Sequence, residues 1–183
     1  MIRKATEKDA QAIADIYNYY IQNTVATFEI DDLTANDFVS RMDKVQKSGF
    51  SWFVAEQNNE IIGYAYSSKW KERAAYKHSA EVSVYLLNDL TAKGWGTKLY
   101  DALFADLKTK SIHIAIGGIT LPNPASIALH EKFGMEKVAH FRQVGYKFDR
   151  WLDVGYWQVQ LNGEPDRLGD NKKSAPERPC PLR

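Results

Sequence analysis

Residues 81–97, which read EVSVYLLNDLTAKGWGT, decide the fold. Polar and apolar side chains alternate along 81–86, with Glu81 on the polar face, and this pattern is typical of a β-strand. Residues 93–97 (KGWGT) follow a short polar turn and lead into a helical repeat. A strand, a glycine-bearing loop and a helix start bring backbone N–H groups and the positive end of a helix together. The stretch therefore predicts an anion-binding loop beside a strand that carries a carboxylate.

The glycine pair of this loop is a weak sign when it stands alone. Gly94 and Gly96 are spaced at i and i+2, and turns commonly contain such pairs. Their place between a strand and a helix strengthens the sign because backbone donors converge there, and Lys93 adds a cation. The segment has neither the G-x-x-x-x-G-K-[ST] spacing of a nucleotide-triphosphate loop nor the G-x-G-x-x-G of a dinucleotide fold. Those two kinds of site are therefore disfavoured.

Composition indicates an ordinary soluble globular chain. It has 183 residues, 44% of them hydrophobic, and a net charge of +1, so no global field favours nucleic acid or an anionic membrane. Cys180 is the only cysteine, which rules out an intramolecular disulfide and fits a reducing compartment. No apolar run is long enough for a signal region or a membrane span. We expect a cytoplasmic protein without nucleic-acid or membrane partners.

Helical and strand patterns alternate along the chain. The predicted elements are strand 2–5, helices 6–23 and 34–49, strands 51–56 and 61–67 around the turn 57–60, strand 81–86, helix 95–110, strand 112–119, helix 125–133, and strands 136–144 and 153–161 around a loop at 146–151. This order predicts an α/β fold on a mixed sheet, with one domain at 1–162. Residues 163–183 are rich in Pro, Gly and charge, which predicts a mobile tail.

Two segments resemble the GNAT superfamily of N-acetyltransferases. They are 91–97 (TAKGWGT) and 121–135 (LPNPASIALHEKFGM), which are similar to the superfamily signature [Q/R]-x-x-G-x-[G/A] and, after it, N-x-x-[A/S]-x-x-L-[Y/H]-E-K-x-G-F. The resemblance covers about residues 1–162. It implies an α/β fold whose mixed, mainly antiparallel sheet is flanked by helices and splayed at its central strands. It also implies acetyl-CoA as co-substrate.

Three further segments resemble the phosphinothricin N-acetyltransferase branch. They are 70–76 (WKERAAY), 80–85 (AEVSVY) and 145–158 (GYKFDRWLDVGYWQ). Members of this branch acetylate the α-amino group of phosphinothricin, methionine sulfoximine or methionine sulfone, which implies a small-molecule amine acceptor here. The branch also implies a homodimer, and the aromatic residues near Trp151 and Trp157, which we expect to be exposed, are compatible with one.

The resemblance assigns cofactor contacts along the strand, the loop and the later short helix. The implied cofactor-binding residues are Val84, Tyr85, Leu86, Thr91, Lys93, Gly94, Trp95, Gly96, Thr97, Asn123 and Ser126. One position departs from the signature, because Thr91 stands where Gln or Arg is usual. Side-chain contacts to the phosphates are reduced there, while the backbone donors of 93–97 remain. Asn123 and Ser126 also open the short helix and could cap it.

Glu81 and His130 are the implied catalytic residues. An α-ammonium has a pKa of about 8, so it must lose a proton before it attacks a thioester, and a screened carboxylate within reach can accept that proton. Backbone N–H groups near Val84 and Leu86 could polarise the acetyl carbonyl. His130 takes the position where many relatives have a Tyr thought to protonate the leaving thiolate. Taken on its own, an exposed acid or a lone helix histidine is more often structural or solvated.

The acceptor contacts implied by the branch lie mostly before and after this strand. Lys71, Arg73 and Tyr76 would contact the acceptor's carboxylate and its phosphinyl or sulfone oxygens, and the planar Arg fork suits an oxyanion. Phe28 would wall the amino-acid pocket, and Val154 would line it. From the residues alone, the cationic cluster could equally be a solvated loop and Phe28 a core residue.

Two other functions remain open from the sequence. The acceptor could be a polyamine, an aminoglycoside or a protein N-terminus, although cationic acceptors would prefer an acidic pocket to one with Lys71 and Arg73. The chain could also bind acyl-CoA as a sensor without turnover, which Thr91 favours and Glu81 disfavours. His78, His113 and His140 show no metal-ligand spacing with each other or with acids, so no metal is expected.

Overall fold

The structure, a computed structural model, describes residues 1–90 and 93–161. The strands are β1 (Ile2–Lys4), β2 (Trp52–Gln57), β3 (Glu60–Lys69), β4 (Ser79–Leu86), β5 (Ile114–Leu121), β6 (Glu136–Lys147) and β7 (Arg150–Gln160). The helices are α1 (Ala10–Asn23), α2 (Ala35–Lys47), α3 (Trp95–Lys108) and α4 (Pro124–Lys132). Thr91 and the predicted tail at 163–183 lie outside the described residues. In the described part, no helix is long and apolar enough to cross a membrane.

The strands form one sheet in the order β1-β2-β3-β4-β5-β7-β6. Every neighbouring pair is antiparallel except β4 and β5, which run parallel. Their pairing stops early, because only residues 79–81 of β4 pair with 114–116 of β5. Beyond Glu81 the two strands separate. The predicted mixed, mainly antiparallel sheet that is splayed at its central strands is confirmed.

Each face of the sheet carries its own hydrophobic core. Along β2, Trp52 and Val54 belong to the core under α1 and α2, whereas Phe53 and Ala55 belong to the core under α3. This alternation follows from the two-residue period of a strand. Leu99, Leu103 and Leu107 of α3 are fully buried in the core under that helix. Burying each leucine contributes about 1.5–3 kcal/mol, which fixes α3 against the sheet.

The last two strands form a tight hairpin instead of flanking a loop at 146–151, so that prediction was wrong. Phe148 and Asp149 make the turn with φ of 51° and 56°, and two consecutive positive φ angles match the twist of a two-residue hairpin turn. Phe148 is not a typical residue for this conformation, which concealed the turn in the sequence. Trp157 was also wrongly expected to be exposed. It is 2% exposed, whereas Trp151 is 62% exposed.

β6 contains a bulge opposite Asp153 of β7. Phe141 pairs with Val154 and Gly145 pairs with Leu152, so the three residues between them on β6 face a single residue of β7, Asp153. The Asp153 carboxylate accepts the backbone N–H of residue 143 at 2.9 Å. Bulges of this kind redirect side chains and are common beside active sites.

Candidate active site

The separation of β4 and β5 opens a central cleft of about 550 Å³. It is bounded by the second half of β4, the start of α3, the end of β5 and one side of α4. The residues lining the central cleft are Tyr20, Ala26, Val82, Ser83, Val84, Tyr85, Leu86, Gly94, Gly96, Thr97, Tyr100, Gly118, Ile119, Thr120, Asn123, Ala125, Ser126, Ala128, Leu129, His130 and Lys132. Most of the cofactor-binding residues predicted from sequence are therefore brought together, whereas Lys93 and Trp95 lie in the adjoining segment without lining the cleft.

The start of α3 is suited to an anion. The first-turn N–H groups of a helix have no acceptor within the helix, and no side chain of the described segments caps α3. In contrast, Thr34 accepts the N–H of Asp37 at α2. The residue before α3 is Gly94, whose φ of +81° is readily adopted by glycine. The uncapped donors open onto the cleft, where the helix dipole also favours negative charge.

Cations surround this helix start. Lys93 precedes it and is exposed, and Lys98 lies with its Nζ 4.3 Å from the centre of the Trp95 ring. The Lys132 ammonium donates to the Thr97 hydroxyl at 3.3 Å. The residues therefore fit a phosphate-bearing ligand through backbone donors and surrounding ammonium groups. Because Thr91 lies outside the described residues, its predicted contact stays a prediction.

Within residues 1–90 and 93–161, no strand pairs with the β4 edge that faces the cleft after Glu81. β3 pairs with β4 on the other edge from residue 80 to residue 86, so backbone groups on the β5 side of 82–86 are left for a ligand or for side chains. One of them is already used, because the Tyr20 hydroxyl donates to the Leu86 carbonyl at 2.7 Å. The cleft therefore offers an extended ligand a strand edge along which to bind.

Glu81 meets the cleft from the opposite face of the sheet. It is half-buried, and a methyl group built on Gly118, which lines the cleft, would lie 3.7 Å from Glu81 Oε1. Burial raises the pKa of Glu81, and the charge of Lys71 partly opposes this rise. A carboxylate in such a setting is partly screened from water and lies beside the cleft wall, which suits a general base.

His130 is buried at the side of the cleft. Its Nδ1 lies 2.7 Å from the Ser126 carbonyl oxygen, which can only accept, so Nδ1 carries the proton. In the neutral ring Nε2 is then the acceptor, and the Tyr100 hydroxyl donates to it at 3.0 Å. Burial lowers the pKa of His130. A neutral ring with both nitrogens engaged favours positioning of Tyr100 over proton donation.

The residues predicted to contact the acceptor spread over three elements. Lys71 lies close enough to Glu81 to lower the pKa of its carboxyl, and its Nζ is 4.5 Å from the centre of the Trp70 ring. Arg73 and Tyr76 are exposed in the turn before β4. Val154 is half-buried on β7, where it pairs with Thr120 of the cleft wall. The structure records no contact between Glu81 and Arg73, Tyr76 or Val154.

Phe28 lies in the segment between α1 and α2, against the last hairpin. Its ring fills the space where a side chain on Gly145 would stand, so it packs on the bulged strand. Two hydrogen bonds hold Thr27, the residue before Phe28. The Lys147 ammonium donates to the Thr27 carbonyl at 2.9 Å, and the Thr27 hydroxyl bonds the Tyr17 hydroxyl at 2.6 Å. Phe28 is therefore anchored by both neighbouring elements and remains 38% exposed.

Sequence reasoning missed Tyr20, Tyr100, Gly118 and Tyr156, which the fold brings to the cleft or to Glu81. The doublet Gly117-Gly118 inside a strand pattern was the one available signal, because glycine within a strand often marks a close approach. The tyrosines gave no signal of their own. In the described segments, no group of three or more His, Cys, Asp or Glu side chains is arranged to hold a metal ion.

A family model described as acetyltransferase (GNAT) domain matches residues 2–155. The L-amino acid N-acyltransferase MnaT of Escherichia coli K12 is 35% identical, over 92% of this chain and 99% of its own. The phosphinothricin N-acetyltransferase of Streptomyces viridochromogenes is 34% identical, over 86% and 85%. The L-methionine sulfoximine/L-methionine sulfone acetyltransferase of Salmonella typhimurium is 33% identical, over 88% and 94%.

Solved structures agree with these relatives. An N-acetyltransferase from Staphylococcus aureus Mu50 superimposes with a TM-score of 0.86 and 33% identity, covering 88% of this chain and 98% of its own. A GNAT superfamily phosphinothricin acetyltransferase from Sinorhizobium meliloti, in complex with acetyl-CoA, gives a TM-score of 0.85 and 29% identity, covering 93% and 96%. The resemblance drawn from sequence is thus confirmed, and the chain belongs to the GNAT family of acetyltransferases.

Proposed function

We propose that this N-acetyltransferase moves the acetyl group of acetyl-CoA to the α-amino group of a small amino-acid analogue, such as phosphinothricin, methionine sulfoximine or methionine sulfone. The transfer is direct, within a ternary complex, and Glu81 is the general base. One observation carries the proposal: the half-buried Glu81 carboxylate lies beside Gly118 of the cleft wall, with Oε1 3.7 Å from a methyl group built on that glycine. The names of the relatives that cover most of the chain support this choice of acceptor.

The cleft has a place for each part of the acyl donor. The uncapped start of α3 and the ammonium of Lys132 suit its pyrophosphate. The free edge of β4 suits the extended pantetheine arm, and Asn123 and Ser126 lie beside that path. Backbone N–H groups near Val84 and Leu86 are the candidates to polarise the acetyl carbonyl.

Glu81 removes the proton that blocks the acceptor's attack. Near neutral pH an α-amino group with a pKa of about 8 is mostly an ammonium, so a base must accept its proton as the thioester is attacked. Burial raises the pKa of Glu81, which makes the ionised carboxyl a stronger proton acceptor. The free amine then attacks the acetyl carbonyl to form the C–N bond, and the C–S bond breaks as coenzyme A leaves as the thiolate. The second proton lost by the nitrogen as the amide forms neutralises this thiolate.

The acceptor's anionic groups are proposed to contact Lys71, Arg73 and Tyr76, with Phe28 and Val154 as walls. The charge of Lys71 acts on the Glu81 carboxyl and lowers its pKa, so an acceptor carboxylate paired with Lys71 would lie near the reacting amine. A cationic acceptor such as a polyamine would be repelled by the same group. This charge arrangement favours an amino acid over a polyamine or an aminoglycoside.

Release of coenzyme A with different amines tests the function. Turnover is expected with phosphinothricin, methionine sulfoximine and methionine sulfone, and at least about tenfold lower kcat/KM with spermidine, because one unfavourable ionic contact of ~1.4 kcal/mol changes a rate tenfold. Calorimetric titration with acetyl-CoA serves as the binding control. Binding of acetyl-CoA without turnover of any amine would instead support a sensor, and preference for spermidine would contradict the proposed acceptor class.

Replacing Lys71 with Met is expected to move the rising limb of kcat/KM against pH to higher pH. The Lys71 charge lowers the pKa of Glu81, so its removal raises that pKa, and a base with a higher pKa ionises at higher pH. The control is Lys69→Met, because Lys69 pairs with Glu72 at 3.7 Å. An unshifted limb in Lys71→Met, or an equal shift in both variants, would contradict the assignment of Glu81.

We also propose that the protein forms a homodimer through the β6–β7 hairpin. The hairpin exposes large apolar side chains, namely Val138, Phe141, Val144, Tyr146, Phe148 and Trp151. A contiguous apolar surface of this kind commonly marks an interaction site, and the sequence resemblance implied a dimer. Light scattering in solution decides the point by giving the mass of one chain, 20.9 kDa, or twice that mass.

A further inference from the structure

Lys147 is a buried lysine at the end of β6. It is 6% exposed, and none of the ion pairs among the described residues includes it. Its ammonium donates to the Thr27 carbonyl at 2.9 Å and lies 5.1 Å from the centre of the Phe148 ring. Burial lowers the pKa of Lys147. Because taking a charge out of water without an opposite charge is costly, an apolar side chain would fill this space at less cost. What the ammonium contributes is therefore its bond to Thr27.

Thr27 stands between two residues of the candidate active site. Ala26 lines the central cleft, and Phe28 is the proposed wall of the acceptor pocket. Residues 24–34, all of which the structure describes, form neither helix nor strand, so side-chain contacts set the position of this segment. The Thr27 hydroxyl bonds the Tyr17 hydroxyl of α1 at 2.6 Å. The bond from Lys147 to the Thr27 carbonyl ties the same residue to the sheet.

We propose that Lys147 is a positioning residue for acceptor binding, whose ammonium fixes Thr27 and so holds the Phe28 ring against the acceptor. The role rests on the function proposed above, and it adds a residue that neither the motifs nor the lining of the cleft identified. Lys147 touches neither reactant in this role. It acts through Phe28.

Two features of β6 place the Phe28 ring. A side chain on Gly145 would overlap this ring, so the glycine lets Phe28 pack directly on the strand. Lys147 follows two residues later, and hence on the same face of the strand, where it holds the backbone next to the ring. A hydrogen bond from a charged donor is about twice as strong as one between neutral groups, which suits a segment without regular structure. The Phe28 side chain stays 38% exposed, so part of it is open to a ligand.

Replacing Lys147 with Met removes the donor and keeps an unbranched side chain of similar length. With methionine sulfone as acceptor, KM is expected to rise about tenfold, the change that ~1.4 kcal/mol of lost binding produces. The kcat should stay within about twofold, because a wall contact binds the acceptor equally before and during transfer. The acetyl-CoA dissociation constant, measured by calorimetry, should not change. Lys147→Arg keeps a cationic donor and should bring KM back to within about threefold of the wild type.

Lys137→Met is the matched control for loss of a lysine from β6. Lys137 Nζ is also close to a ring, 5.4 Å from the centre of Trp157, but the residue is exposed. We expect this variant to keep the wild-type acceptor KM. An equal rise of KM in Lys137→Met and Lys147→Met would overturn the proposal.

The double variant Lys147→Met/Phe28→Leu tests whether Lys147 acts through Phe28. Once the ring is removed, the ammonium has nothing left to position, so the double variant should have the acceptor KM of Phe28→Leu alone. If the two substitutions instead multiply their effects on KM, Lys147 acts independently of Phe28 and the proposal is overturned.

Gly145→Ala displaces the same ring without changing Lys147, which keeps the test open if Lys147→Met does not fold. The added methyl group overlaps the Phe28 ring, so the acceptor KM is again expected to rise about tenfold. Melting temperatures from scanning calorimetry show which variants are folded. A folded Gly145→Ala variant with the wild-type KM would overturn the proposal, because the position of the ring would then not matter to the acceptor.

The outcomes separate the role of Lys147 from the function on which it rests. A wild-type acceptor KM in folded Lys147→Met would overturn the positioning role and leave the proposed function in place. A wild type that binds acetyl-CoA but turns over no amine would remove the proposed function and, with it, the role of Lys147.

Discussion

Glu81→Gln is expected to lower kcat/KM for the acceptor by about 10²–10⁴-fold at neutral pH, the range typical for loss of a general base. Gln is nearly isosteric with Glu but accepts no proton in this range. The substitution keeps the half-buried position beside Gly118 filled. The acceptor must then arrive as the free amine, which is a minor species below its pKa of about 8.

The pH dependence of this loss identifies its cause. In the wild type, activity rises as Glu81 ionises, and burial moves that step to higher pH by raising the pKa of the carboxyl. In the Gln variant, activity instead rises with the fraction of free amine up to a pH of about 8. The deficit therefore shrinks as pH increases, and kcat/KM measured from acidic to alkaline pH should show the two curves converging.

The matched control for this substitution is Glu72→Gln. Glu72 is an exposed carboxylate on the connector between β3 and β4, and its side chain pairs with Lys69 at 3.7 Å. We expect its pH profile to follow the wild type. A Glu81→Gln deficit that stays constant across the whole pH range would argue against a base and for a role in binding or structure.

The parts of the site that are formed by neighbouring residues could be predicted from the sequence. The strand with Glu81 and the Gly94 helix start were predictable because alternation, glycine and helix periodicity are written into neighbouring residues. The central cleft near residues 82–86 followed only from the family resemblance. Nothing local shows that β4 and β5 stop pairing at Glu81, since that depends on how the two strands pack against helices from other parts of the chain.

The missed residues depend on register between distant segments. Gly118 faces Tyr156 because β5 and β7 pair antiparallel, and this pairing is set by the whole hairpin. Tyr100 reaches His130 because α3 and α4 pack side by side under one core. Trp157 was misjudged for the same reason, because the pairing of β7 with β5 decides which face of β7 enters the core, and that face carries Trp157.

His130→Leu is expected to destabilise the fold by about 1–3 kcal/mol, because it removes the acceptor of a buried polar group, which costs about that much when left unpaired. The group is the Tyr100 hydroxyl, bonded to His130 at 3.0 Å. Burial raises the pKa of Tyr100, so its phenol remains a donor that needs an acceptor. Urea unfolding of the two proteins measures the difference.

The same residue predicts how stability depends on pH. Because burial lowers the pKa of His130 in the folded protein, the unfolded chain binds its proton more readily. The stabilising contribution of the neutral ring is therefore complete above the unfolded pKa of about 6.5 and is lost as pH falls from there through the folded pKa. His130→Leu should remove this dependence, so its free energy of unfolding changes less between pH 7.5 and 5.5.

His78→Leu is the control that separates burial from the loss of an imidazole. His78 also bonds a backbone carbonyl, that of Ser111 at 3.0 Å, but it is exposed, so its loss should have a small effect that water compensates. If His130 were instead the proton donor to the thiolate, His130→Leu would retain wild-type stability while kcat fell and its alkaline limb disappeared. A large loss of stability at pH 7.5, carried by the unpaired Tyr100 hydroxyl, assigns His130 to holding the cleft wall in place.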